Sequence, residues 1–217
     1  MELAVGLALP ATLGLIALSG PIVRMLFEHG LFTSADSEGT ARALIWLALG
    51  LPAHVLVKAL SPAFFARDDT HTPLWATLKA IVVAIAAALV FGRLFGTSGI
   101  AAAIALGAWS NALSLIRRGA ATFGFSIDPE ARRRLPRIVV AALAMGGLLW
   151  LAARFALAPS ETIHGETIHG FAQAAALLAL IAGGIAVYGL LLSFFGVTSW
   201  HETLNAIRQP SRSDLRA

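Results

Sequence analysis

Three stretches of this sequence carry no charge over lengths that can cross a bilayer: Leu3 to Val23, Leu94 to Ile116 and Phe171 to Trp200. A helix of roughly 20 apolar residues spans the hydrocarbon core. A helix on the surface of a soluble protein breaks such a run with polar positions every turn. Charged residues make up only 13% of the chain, against roughly 25% in a soluble domain. Mean hydropathy is +0.79. The expected fold class is therefore all-α, a polytopic membrane helix bundle.

Six spans are expected, at 3–27, 41–65, 74–95, 98–118, 135–157 and 170–197. His54, Lys58 and Lys79 weaken the second and third. Basic residues test this division. One side would hold Lys58, Arg67, Lys79, Arg117, Arg118, Arg132, Arg133, Arg134, Arg137, Arg208, Arg212 and Arg216. The other would hold only Arg24, Arg42, Arg93 and Arg154. Lys and Arg accumulate on the cytoplasmic side, so both termini are expected in the cytoplasm. An odd number of spans would scramble the bias.

The sequence pI is near 10.6, but the cations flank apolar spans, where the membrane potential and anionic headgroups account for them. Nucleic acid is not an expected partner. Cysteine is absent, which removes disulfides, a thiolate nucleophile and cysteine zinc sites. The first segment begins Met1-Glu2 without a positive n-region, and its apolar run exceeds the roughly 7–15 residues of a secretory signal.

Connections are short. Gly96-Thr97-Ser98-Gly99 reads as a tight turn between the third and fourth spans. Asp128-Pro129-Glu130 suits the start of a short helix, capped by Asp128, at the inner surface before the fifth span. Thr72 before Pro73 reads as a helix cap followed by a residue with no amide hydrogen to satisfy. Glu161-Thr162-Ile163-His164-Gly165 is repeated directly as residues 166–170. Two copies of five residues suit a local duplication in an external loop. A metal site on His164, His169 and the two glutamates lacks a well-defined four-ligand set, and no metal or other cofactor is expected.

Charge within or beside the bilayer costs about 2.5–3.5 kcal/mol on insertion scales, so it marks the candidate residues. Arg24 and Glu28, four apart at the outer end of the first span, form either an interfacial ion pair or a substrate contact. His54 and Lys58 are also four apart. Lys58 either snorkels to the inner interface or faces a polar cavity. Arg67, Asp68 and Asp69 either lock the turn between spans two and three or gate it. Asn111 reads as a helix–helix hydrogen bond. No phosphate loop, His-Glu-x-x-His helix or nucleophile elbow is present, so no enzyme is expected.

Two segments are more specific. Leu26-Phe27-Glu28-His29-Gly30-Leu31-Phe32-Thr33, after Gly20-Pro21-Ile22, resembles the "LFerGaFt" signature of the MurJ/MviN lipid II flippases. Gly50-Leu51-Pro52 then leads through Val57-Lys58 to Pro62-Ala63-Phe64-Phe65-Ala66-Arg67 and Asp69-Thr70-His71-Thr72-Pro73. This is similar to that family's "Glp…vK…aPaFYArqDtktP". The resemblance is specific over roughly residues 10–75 and hydropathic beyond.

The resemblance implies a multi-pass protein of the bacterial inner membrane within the multidrug/oligosaccharidyl-lipid/polysaccharide exporter superfamily. Its members have about fourteen helices and move lipid-linked peptidoglycan precursor outward by alternating access. The six spans would correspond to helices nine to fourteen, the last two forming a lipid-tail groove. Residues 1–121 would be a partial C-terminal lobe, 122–134 a basic cytoplasmic connection, 135–200 two additional helices and 201–217 a cytoplasmic tail. The expected partners are lipid II and membrane lipids. The chain is expected to be part of a flippase that is incomplete alone, either an inactive fragment or one part of a split flippase whose N-terminal half is a separate chain. Arg24, Glu28, Lys58, Arg67 and Asp69 are the substrate-binding or gating candidates.

Three departures from the family pattern stand out. The arginines that grip the pyrophosphate in the family lie mainly in helices this chain lacks. The stretch Ile81 to Ala86 also has no oxygen-bearing side chain where some members place a sodium site. Phe65 stands where the family pattern has Tyr. Two other readings remain: a non-transporting membrane subunit, and an exporter of another lipid-linked saccharide or drug.

Overall fold

The computed structural model describes residues 2–27, 32–123, 129–156 and 166–194. They form five helices: α1 (Glu2–Phe27), α2 (Ser34–Phe65), α3 (His71–Phe123), α4 (Pro129–Ala156) and α5 (Glu166–Phe194). All five are long and apolar enough to cross a membrane.

At 53 residues, α3 would be about 80 Å long if straight, far more than a bilayer needs. It folds back at Gly96, whose φ of 61° and ψ of −137° lie in a region open essentially to glycine alone. The two arms, 71–95 and 97–123, then run side by side. A Cβ on Gly107 would lie 2.7 Å from the Ala84 methyl. The Asn111 amide donates to Thr77 Oγ1 across the arms at 3.3 Å, the interhelical role expected for it. The expected turn is thus present, and Gly96 alone carries it, since residues 97–99 are already helical. With α3 folded, the described residues form six apolar helical rods.

Three boundaries differ from expectation. α2 begins at Ser34 rather than 41 because Thr33 and Asp36 form a capping box. Asp36 accepts from the Thr33 backbone at 3.0 Å, and the Thr33 hydroxyl accepts from the Asp36 backbone at 3.3 Å. Two orphan amides are satisfied reciprocally, which stabilises a first turn that hydropathy does not reveal. α4 runs unbroken from Pro129, so the expected short surface helix and fifth span are one helix. Pro136 inside it removes a single backbone bond, which a membrane helix tolerates where the freed group finds another partner. Asp128 lies outside the described residues. The third departure, the cap of α3, belongs to the site described below.

α1 lies between α2 and α4, α2 packs on α3, and α5 rests on α4 with a lesser contact to α1. Two cores result. Ala141, Ala142, Met145, Leu149 and Tyr188 join α4 and α5 against Leu9 and Leu13 of α1. Leu60, Phe64, Ala76 and Leu115 join α2 to both arms of α3. Lipid is as apolar as leucine, so close packing of small residues, rather than burial from water, holds such helices together. A Cβ at Gly50 would come within 3.1 Å of the Ala105 backbone, so glycine sets how closely α2 approaches α3. Hydroxyls inside the rods return to their own helix: Thr12 donates to the Ala8 carbonyl at 2.8 Å and Ser61 to the Val57 carbonyl at 2.7 Å. At the end of α4, the Arg154 guanidinium sits 5.0 Å over the Trp150 ring, a cation–aromatic pair suited to a membrane interface.

Candidate functional site

α2 ends and α3 begins in a turn held by backbone geometry. The Asp69 amide donates to the Phe64 carbonyl at 3.1 Å, and the Asp68 amide to the Phe65 carbonyl at 3.1 Å. These are the paired bonds of a Schellman motif, and Asp68 occupies its left-handed position with φ 58°. Aspartate tolerates that conformation better than most residues with a Cβ. Arg67 precedes it, exposed, its backbone amide bonded to the Phe64 carbonyl at 3.0 Å.

Asp69 then opens the next helix. Its carboxylate accepts from the Thr72 backbone amide at 3.0 Å. The cap of α3 is therefore Asp69 and not Thr72: the ionised oxygen is the stronger acceptor, and it stands three residues before the amide it satisfies. The Thr72 backbone amide, and then its hydroxyl, hold the Asp69 carboxyl below its ordinary value. His71 and Arg118 add to this, against the opposing effect of partial desolvation. Arg118 belongs to the far end of the second arm, which thus lies near enough to this turn for its charge to act on the carboxylate.

A folded-state value lowered in this way stabilises the fold above the unfolded value of about 3.9 and loses that contribution as pH falls through the folded value. Thermal unfolding in detergent should show this loss on acidification below about pH 4. Asp69→Asn keeps a neutral cap and should flatten that limb of the profile. An unchanged acid limb in Asp69→Asn would assign the transition to other carboxylates.

Lys58 and His54 stand exposed on one face of α2, one turn apart. Lys58 is seven residues from Phe65, where α2 ends, which is about 10 Å along the axis. Both side chains are exposed, with no other part of the described chain covering them. Arg24 is exposed in the last turn of α1. Glu28, its expected partner, lies outside the described residues. Arg67 and Asp69 are the two candidates brought together, by the turn itself, while Arg24 lies at the far end of α1.

Two apolar grooves lie on the other side of α1. One, of about 440 Å³, runs between α4 and α5 and includes Leu148, Ala152, Ala176 and Gly183. The second, of about 470 Å³, lies among α1, α4 and α5, with Leu7, Pro10, Gly14, Leu149, Ile185 and Tyr188 on its walls. Neither α1 nor Tyr188 was expected to contribute to a groove there. Tyr188 also donates its hydroxyl to the Gly6 carbonyl at 2.6 Å. The only signal for that bond in the sequence is Pro10, whose missing amide frees the carbonyl four residues earlier; nothing local points to a donor 182 residues away. The duplicated 161–170 segment lies outside the described residues except for the backbone of 166–170, which opens α5. Among the described residues, no three His, Asp or Glu side chains form a group able to hold a metal.

Comparison with known proteins gives one consistent result. The family model for the lipid II flippase MurJ matches residues 1–165. A probable lipid II flippase MurJ of Rhizobium meliloti is 35% identical over 188 residues, covering 87% of this chain and 34% of that protein. The corresponding protein of Rhizobium tropici is 34% identical over 225 residues, covering 100% of this chain and 40% of its own length. A solved lipid II flippase MurJ in an inward closed conformation superposes with a TM-score of 0.68 at 28% identity, over 88% of this chain and 36% of that one. The chain spans little more than a third of the length of these relatives.

Proposed function

Because this chain belongs to the lipid II flippase MurJ family, we propose that it supplies part of the C-terminal half of a flippase for lipid-linked peptidoglycan precursor. It is a multi-pass protein of the inner membrane. In the proposed arrangement both termini lie in the cytoplasm, where the basic residues concentrate.

The observation that carries this reading is the open face of α2. A lysine exposed on an apolar helix, about 10 Å from its end, carries its charge to water, to an anion or to further helices that meet it. Alternating access in such transporters rocks one helix bundle against another around a central site. A second bundle against α2 would place Lys58 and His54 at that junction, where an ammonium can contact the pyrophosphate of the substrate. Arg67 and Asp69 brace the cytoplasmic turn beneath it and keep α2 and α3 in register. Arg24 and Glu28 would close the outer end. The apolar grooves of α4 and α5 take the lipid tail: they match a hydrocarbon chain in chemistry and offer almost no polar atom.

Complementation tests this. Cells depleted of their own lipid II flippase should be rescued when this chain is expressed with a flippase N-terminal half, and not when it is expressed alone. Failure of the pair, with both chains shown to be inserted in the membrane, would favour the non-transporting subunit instead. Rescue by the chain alone would refute the requirement for a second bundle.

A further inference from the structure

Pro10 sits inside α1 and has no amide hydrogen. The carbonyl it leaves without a helix partner is that of Gly6, and this is the oxygen to which the Tyr188 hydroxyl of α5 donates, at 2.6 Å. Gly6 stands at the edge of the apolar part of α1, where a freed carbonyl is satisfied either by water or from within the protein, and here the Tyr188 hydroxyl takes it. Pro10 and Tyr188 are also both walls of the 470 Å³ groove among α1, α4 and α5. The bond therefore ties α5 to α1 beside the groove that Pro10 and Tyr188 line. α5 otherwise packs chiefly on α4, so its distance from α1 is the adjustable dimension.

We propose that Tyr188 is a positioning residue: its hydroxyl, latched to the carbonyl freed by Pro10, sets the separation of α5 from α1 and so the width of a lipid-chain groove. This rests on the reading above that the groove takes the lipid tail. With the bond made, the groove is held at one width. With the bond broken, α5 moves away from α1 about its contact with α4 and the groove opens along that side. The proline and the tyrosine act as a pair. Without Pro10 the carbonyl would be bonded within α1, and the tyrosine would have nothing to hold.

The absence of cysteine allows a direct test on the full chain in lipid nanodiscs. Leu7 and Ile185 are 71% and 69% exposed on either side of the latch, so Leu7→Cys and Ile185→Cys can carry a pair of spin labels. Tyr188→Phe should broaden the distance between them, raising the population outside the parent distribution about fivefold, as expected for loss of one buried hydrogen bond. On a Pro10→Ala background, where the restored backbone amide bonds the Gly6 carbonyl, Tyr188→Phe should have no effect. Helical content measured on all four proteins separates the latch from a failure to fold. No broadening in Tyr188→Phe would overturn the latch, and so would equal broadening with and without Pro10, which would reduce Tyr188 to a packing ring. A photoreactive polyprenyl phosphate in the same nanodiscs should label α1 and α5 in proportions that change when the latch is broken. Labelling unaffected by the latch would overturn the positioning role. Latch-dependent distances with no label in the groove would instead remove the lipid-tail reading and leave the latch standing.

Discussion

Gly99→Val should abolish accumulation of the folded chain. A Cβ at this position would overlap the Phe91 carbonyl oxygen and carbon. Both are backbone atoms of the opposite arm of α3, so no side chain can swing aside. The arms must separate at the turn, which also loosens the approach of Gly107 to Ala84 and the Asn111–Thr77 bond further along. Overpacking a core typically costs about 1–3 kcal/mol, occasionally more. A clash against backbone at a helix reversal belongs at or beyond the upper end of that range. Total stabilities of about 5–15 kcal/mol leave little room for such a loss. Size-exclusion of detergent extracts should show the parent peak lost in Gly99→Val. Gly147→Val, where nothing lies within 4 Å of the new atom, should retain it. Equal peaks from the two variants would mean that the arms do not meet as described.

The second large effect is expected at Lys58. In a complete flippase, Lys58→Ala should reduce flipping at least tenfold, because removing one partner of a desolvated charge contact costs about 2–5 kcal/mol and 1.4 kcal/mol is a factor of ten. Asn111→Ala breaks an interhelical bond of a kind that averages about 0.6 kcal/mol within membranes. It should therefore leave flipping nearly intact. Lys58→Arg keeps the charge and should recover part of the activity. Complementation of flippase-depleted cells by each variant, at matched membrane levels, distinguishes the cases. Equal complementation by Lys58→Ala and Asn111→Ala would show that Lys58 only snorkels to the interface.

Much of the candidate site was legible because its residues are close in sequence. The turn motif from Pro62 to Pro73 marks the junction of two helices, and the structure has them meet there. Which residue caps α3 was not legible. Asp69 and Thr72 are both good capping residues, and only the geometry shows the carboxylate on the Thr72 amide. The start of α2 was recoverable in principle, since Thr33 and Asp36 have capping-box spacing. Asp36 and Glu38 pull hydropathy down there, so a reading based on apolar runs begins the helix too late.

The sequence by itself determined that the chain crosses a membrane, where its apolar rods fall and that the rod from 71 must turn back near Gly96. These follow from the cost of burying charge in hydrocarbon and from the one backbone geometry that glycine alone adopts readily, and both act within a few residues. Only the tertiary structure decided that α1 lies between α2 and α4, that Lys58 is left uncovered, and that Tyr188 finds the carbonyl freed by Pro10. The spans are so uniformly apolar that no side of a rod is marked as inward. Close fits such as Gly107 on Ala84 or Gly50 on Ala105 select the neighbours, and such fits exist only between surfaces already brought together.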